Sequence, residues 1–545
     1  MNIHWIDLCL IIIYLVGITA IGVYSGRKSS QSSRSYFLAG RSIRWPMVGL
    51  ALFATNISTV HLIGLAASGY DQGMVVGNFE WLAPFLLILL GLVFAPFYFR
   101  TRISTLPEYI EGRYGPRSRT VLAFMGVVGA LFIHIGVTLY AGAVVFQSFI
   151  DLDIFWSILI ISGLTLIYTA VGGLKAVVVT EAIQTVILIL GAAAITIFAL
   201  IALGDLGIHS IAELKAAAKP GQMSMIRTDG EFAWYYMLLG YPVLGIWYWC
   251  SDQTIVQRVL GAKTEKDAQL GPIFAGFIKI LPVLFMVLPG VIGYVLFKEV
   301  IAENKDATLI VMIQQLLPVG LQGIVIAGLL AALMSTVAGA LNSTATLVSI
   351  DIVKRIKPDT EDRKLVRIGQ ITVGVVLVLA IAWSTQGEQF GGIFEGINQM
   401  IAVLAPPIST VFIWGIFWRR GTSTAAFWTL ISGFALGGIV FCLDFPAVSG
   451  LFLGRNEAGM ANRLFTDELN IPFMLQAWLL FVACSLIFVL ISKCSKRPDS
   501  ACIEKYCWKS PLAVLSEKQL TGVKDPRILS LILVLIMVLC YWIFA

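Results

Sequence analysis

The sequence predicts an all-α polytopic membrane protein with about fourteen spanning helices, and three observations carry that reading. Apolar runs of about 17–25 residues, the length that crosses a bilayer's hydrocarbon, recur from one end of the chain to the other. Over 545 residues the composition is 58% hydrophobic and only 13% charged, with a mean hydropathy of +0.87, which is outside the range of soluble chains. The Lys and Arg behind the net charge of +6 fall in short loops between apolar runs. There they set orientation and do not mark a nucleic-acid surface.

In chain order, the first run, 6 to 26, is followed by Arg27 and Lys28 and not by a small-residue cleavage site. A retained helix is expected there and not a signal peptide. The second run, 46 to 70, is polar at its middle. Further runs lie at 79 to 99, 121 to 149, 156 to 172, 177 to 203, 233 to 256, 273 to 297, 308 to 350, 366 to 384, 393 to 418, 424 to 443, 471 to 492 and 527 to 545. Basic loops alternate with acidic or mixed ones: Arg100, Arg102, Arg113 and Arg117 on one side, Asp151 and Asp153 on the other. With the basic loops inside, an even number of spans puts both termini outside, in a multi-pass protein of the cell membrane. The longest polar stretch, Lys493 to Asp525, reads as a loop.

Cysteines add no framework. Five of the eight sit in or beside apolar runs, and Cys494, Cys502 and Cys507 lie in a basic loop expected to be cytoplasmic, where thiols stay reduced. Their spacing does not match a zinc site, and no His is near.

The second run carries the strongest local signal. Thr55, Asn56, Ser58 and Thr59 cluster at membrane depth, where they compete for backbone hydrogen bonds. Polar or irregular backbone survives there only when buried in protein or lining a cavity, so a broken helix at a solute or ion site is expected. Five spans later the run 233 to 256 is interrupted by Gly240-Tyr241-Pro242, where Pro242 should kink it. An odd offset reverses topology. Paired broken helices in two halves are the sequence signature of an inverted-repeat transporter with a site at the midplane.

Ionisable residues inside spans are functional candidates by default. Glu80, in Asn78-Phe79-Glu80-Trp81, fits an interfacial charge or a pocket carboxylate. Lys279 has apolar sequence on both sides and either faces a pocket or snorkels inward. Glu181 opens a span; His61 and His134 lie within spans, and His134 is given no role. In the ninth run, Ala332, Ser335 and Thr336 are spaced i, i+3, i+4 and share a helix face. Two hydroxyls and a carbonyl form an uncharged all-oxygen set suited to a hard monovalent cation, although Ser and Thr also join membrane helices. No phosphate-binding loop or catalytic triad is present, so no enzyme is expected.

These residues resemble the sodium/solute symporter family, and within it the sodium/glucose and sodium/galactose cotransporter branch. The likeness covers nearly the whole chain. It rests on Tyr36-Phe37-Leu38-Ala39-Gly40-Arg41, Ala54-Thr55-Asn56-Ile57-Ser58, Phe79-Glu80-Trp81, the stretch Tyr168 to Val177, Trp247-Tyr248-Trp249-Cys250-Ser251-Asp252-Gln253, Val256-Gln257-Arg258, the stretch Leu341 to Thr346, and Ile416-Phe417-Trp418-Arg419-Arg420. The resemblance implies a five-plus-five inverted-repeat, LeuT-like core, with repeats at 46–204 and 233–420 and flanking helices at 1–27 and 421–545. It implies a symporter that imports a neutral sugar, a hexose such as glucose or galactose, with co-transported sodium. The alternatives are myo-inositol, a carboxylate such as sialic acid, or a non-transporting sensor. No metal other than sodium and no partner beyond solute, ion and bilayer follows, and neither does an oligomeric state.

By position, the resemblance assigns the sodium site to the carbonyls of Ala54, Ile57 and Ala332 and the hydroxyls of Ser335 and Thr336. It assigns the sugar to His61, Glu80, Lys279, Trp249 and Asn398, with Tyr248 closing the site from inside and Phe79 and Phe394 as outer lids. Glu181 stands on the ion's release route, where the family has Asp. Other departures are Thr336 for Ser, Asn398 for Gln, and Gly245 and Ala83 where sugar transporters carry polar groups. A site built to hydrogen-bond a hydroxyl discriminates strongly when a partner is lost, so these departures leave the identity of the polyol open.

Overall fold

The computed structural model describes residues 3–150, 152–302, 304–385, 393–455, 459–509, 522 and 524–545. Helices dominate these residues, with two isolated β-bridges and no strand among them. Among the described residues eleven helices are long and apolar enough to cross a membrane, or twelve when the bent pair Trp45–Asn56 and His61–Asp71 counts as one span.

Two features account for most of the difference from about fourteen runs. The helix Ile154–Asp205 has 52 residues, which if straight would be about 78 Å long, far more than a bilayer needs. It folds back at Gly173, where φ is 54° and ψ −154°. Tyr168 and Thr180, twelve positions apart, consequently flank the same residue: a Cβ on Gly22 would lie 2.8 Å from the Tyr168 Cβ and 3.2 Å from the Thr180 Cγ2. The run 233 to 256 is divided into Trp234–Gly245, a π-helical stretch Ile246–Ser251 and Gln253–Leu260, each too short to count alone.

The first helix, Trp5–Gly26, packs into that hairpin through a backbone contact. A Cβ on Gly26 would collide with the Gly172 Cα, whereas one on Gly17 meets nothing within 4 Å. Overpacking of this kind costs about 1–3 kcal/mol or more. Gly26→Leu is therefore expected to lower the yield of monodisperse protein severalfold in fluorescence size-exclusion chromatography, with Gly17→Leu unchanged.

Three expectations are corrected. Helix Trp234–Gly245 runs through Pro242, and the break comes ten residues later at Asp252, in extended conformation (φ −83°, ψ 126°). There the Asp252 carboxylate accepts the Thr254 N–H at 2.7 Å and caps the following helix. The run 308 to 350 is two helices, Thr308–Leu316 and Leu321–Thr346, separated by Pro318-Val319-Gly320, with Gly320 at φ 89°. The stretch after Lys493 contains a helix, Ser500–Tyr506, docked on the bundle: Tyr506 packs against Tyr109, and the Trp508 amide donates to the Ile416 carbonyl at 3.0 Å.

At the centre, Leu321–Thr346 is buried along almost its whole length and lies against the first broken helix. That helix breaks where its polar cluster predicts. The last regular bond runs from the Ile57 N–H to the Phe53 carbonyl at 2.9 Å, Ile57 and Ser58 are extended, and the chain turns by 60°. The Thr59 hydroxyl then donates to the Leu329 carbonyl at 2.8 Å, fixing the second half against the central helix.

Candidate functional site

The break frees carbonyls that an unbroken helix would consume, and the central helix turns its hydroxyls toward them. The Ser335 Oγ lies 2.9 Å from the Ala54 carbonyl and 2.8 Å from that of Ala332. The Thr336 Oγ1 lies 3.1 Å from the Thr55 carbonyl and 3.2 Å from that of Ala332. Five oxygens thus converge, all from uncharged groups, in a chemistry that fits a monovalent cation. The Thr55 carbonyl, which the sequence did not single out, is the one bonded to Thr336, while Ile57 stands at the break itself.

Beside this cluster, sharing Thr336 with it, lies a cavity. His61, Phe79, Glu80, Tyr248, Trp249 and Asn398, all singled out from sequence, form its wall together with Gly245 and Thr336. The His61 Nδ1 is 3.1 Å from the Ser58 hydroxyl. The Asn56 amide donates to the Tyr248 hydroxyl at 3.1 Å, while its buried Oδ1 has no partner among the described residues and is open as an acceptor. Phe79 sits in an aromatic cluster with Phe232, Tyr241 and Phe473, and the Tyr241 hydroxyl donates to its carbonyl at 2.7 Å. The Phe394 side chain lies outside the described residues.

Lys279 takes a different position from the one expected. It neither snorkels nor forms part of the cavity wall: 1% exposed, it is ion-paired with Glu80, itself 2% exposed, and its ammonium lies 5.5 Å from the centroid of the Trp249 ring. It therefore neutralises and orients the pocket carboxylate from behind.

Glu181 is fully buried in an ion pair with Arg258. Its Oε1 also accepts from the Thr55 hydroxyl at 2.8 Å, and the Arg258 guanidinium bonds the Thr254 carbonyl as well. This clamp ties both broken helices to the long hairpin directly beside the oxygen cluster, because Thr55 belongs to both. Sequence reading missed Arg258, which lies past the end of its apolar run. It also gave His134 no role, yet His134 lines the cavity and its Nε2 lies 2.6 Å from the Asp252 Oδ2. The signal that could have found the pair was Asp252 itself, an acidic residue inside a membrane-depth segment.

The model of the sodium:solute symporter family matches residues 36–433. Sodium/glucose cotransporter 1 of sheep (Ovis aries) is 31% identical over 540 residues, covering 92% of this chain and 80% of that protein. The human sodium/myo-inositol cotransporter is 33% identical over 481 residues, 81% of this chain and 67% of that one. Among solved structures, a Na⁺-coupled sialic acid symporter in a substrate-bound, outward-open state superposes with a TM-score of 0.76 at 20% identity, covering 91% of this chain and 99% of the other. At that identity the likeness establishes a shared fold.

Proposed function

The chain belongs to the sodium:solute symporter family, and we propose that the solute it couples to sodium is a neutral sugar, a hexose of the glucose or galactose kind, imported by alternating access. Sodium coupling, a multi-pass membrane location and a transporting rather than enzymatic role come with the family. The choice of solute rests on the cavity. Among the described residues its one carboxylate, Glu80, is matched by Lys279 behind it, so their wall carries no free positive charge for an acidic solute, and a carboxylate would face Glu80 directly. What the wall offers is a set of hydroxyl partners, Asn56, His61, Glu80 and Asn398, around the Trp249 ring. Paired polar groups beside an aromatic face suit a polyhydroxylated ring.

In this reading Ala54, Ala332, Ser335 and Thr336, with the Ile57 and Thr55 carbonyls at the break, hold sodium. Bound there, sodium bridges the broken helix to the central one and favours the outward-facing form. Solute then closes the cavity beneath Phe79, and the Glu181–Arg258 clamp releases to open the inner side. The halves 46–204 and 233–420 act as the two inverted repeats. The driving force suffices: about 2.3 kcal/mol per charge at 100 mV and about 1.4 kcal/mol from a tenfold sodium gradient support several-hundred-fold accumulation with one sodium.

The test is uptake of labelled hexoses, inositols and sialic acid into proteoliposomes, with and without an inward sodium gradient. Sodium-dependent accumulation of a neutral hexose is the expected result. Uptake of an inositol alone would move the solute to a cyclitol. Uptake of the carboxylate alone would overturn the sugar reading and leave the family assignment intact.

A further inference from the structure

His134 brings a second polar group to the wall of the same cavity, with Asp252 bonded to it from outside that wall, and its neighbours restrict what it can do. His134 sits in the π-helical stretch Ala130–Gly136, an irregularity common at functional sites. His134 and Asp252 are 4% and 8% exposed. The two oxygens of Asp252 are both engaged: Oδ1 caps the helix Gln253–Leu260, and Oδ2 meets the His134 Nε2 at 2.6 Å. A carboxylate only accepts, so Nε2 carries the proton and donates, which fixes the ring's orientation and leaves Nδ1 as its remaining polar atom. Around the ring stand Trp247 and Tyr248, with centroids 6.2 and 5.8 Å away. His61, Glu80 and Asn398 also line this cavity, and the Lys279 charge is bound to Glu80.

A histidine needed only to join two helices would be served by a packed interior. This one is held in a fixed orientation by a carboxylate and also forms part of the cavity wall. We propose that His134 hydrogen-bonds one hydroxyl of the transported solute, and that Asp252 is its positioning partner. The inference rests on reading the cavity as the solute site. It also gives solute binding a route to the inner gate, because the helix that Asp252 caps carries Arg258 four residues beyond Thr254.

The test compares uptake KM for the transported sugar and each of its single-position deoxy analogues in wild type, His134→Ala, His134→Gln, Asp252→Asn and the His134→Ala/Asp252→Asn double variant. With the parent sugar, His134→Ala is expected to raise KM about tenfold, the size of one lost hydrogen bond to a polar partner. For the one analogue that lacks the hydroxyl held by His134, wild type and His134→Ala should have the same KM, the sign of direct coupling. His134→Gln should recover part of the loss, and Asp252→Asn should add little once His134 is gone. If His134→Ala raises KM by the same factor for every analogue, or leaves it unchanged, the contact does not exist. If His134→Ala fails to fold, the same crossing pattern is read in His134→Gln. Absence of any neutral-sugar uptake by wild type would instead remove the sugar-site reading, and this proposal with it, before any variant is measured.

Discussion

Arg258→Met is expected to be the most damaging single substitution in the transmembrane core. The guanidinium is fully buried, bonded to both Glu181 oxygens and to the Thr254 carbonyl, with the Nε 3.3 Å from the Glu181 Oε2. Removing it leaves a fully buried carboxylate with the Thr55 hydroxyl as its one remaining side-chain partner among the described residues. Breaking one side of a buried pair costs about 3–5 kcal/mol, a large share of a stability of about 5–15 kcal/mol. Detergent-solubilised Arg258→Met should aggregate at a markedly lower temperature than wild type, or fail to yield folded protein. Combining it with Glu181→Gln removes the stranded charge, and most of the loss should return, because deleting both members of a buried pair is far cheaper than deleting one. If the double variant is no more stable than the single, the damage comes from lost guanidinium packing and not from an unpaired charge. The rescued double variant also lacks the tie between the broken helices, so it separates the clamp's contribution to folding from its proposed contribution to gating.

That clamp illustrates what the sequence could and could not disclose. The break at Asn56 was legible because hydrocarbon tolerates a polar cluster only where protein or a cavity surrounds it, and Ile57 and Ser58 are extended where the Thr, Asn and Ser cluster predicts. The spacing of Ala332, Ser335 and Thr336 was legible because helical periodicity fixes which residues share a face. Pairings across the chain were not legible. Lys279 with Glu80, Arg258 with Glu181 and His134 with Asp252 join residues 199, 77 and 118 positions apart, and no local pattern shows which charge meets which. The second break was misplaced because proline is a strong signal in a soluble helix and a weaker one in membranes, where neighbouring groups satisfy the freed backbone. The aspartate ten residues on was the better signal, since an N-cap carboxylate stops and restarts a helix. Pro318 and Gly320 were visible as punctuation within the run 308 to 350, and the run's apolarity outweighed them.

Ser335→Ala is the sharper test of ion coupling, because its expected effect falls on one parameter. The hydroxyl sits between the Ala54 and Ala332 carbonyls, so it is among the oxygens that a cation at the break would contact. A contact between a polar group and a charge is worth about 1.5–3 kcal/mol, and its loss should raise the sodium concentration for half-maximal uptake by roughly 10- to 100-fold. The same hydroxyl also joins two helices, a contact worth only about 0.6 kcal/mol in membranes. Stability without sodium should therefore change little, while the stabilisation conferred by sodium should largely disappear. Thr336→Ser keeps the oxygen and is expected to stay within about twofold of wild type in sodium dependence, whereas Thr336→Val, similar in shape, should resemble Ser335→Ala. Sodium titrations of uptake and of thermal stability, run on the four proteins together, distinguish the cases. If Ser335→Ala loses stability equally with and without sodium and keeps its half-saturation, the hydroxyl is helix glue and the cation binds elsewhere.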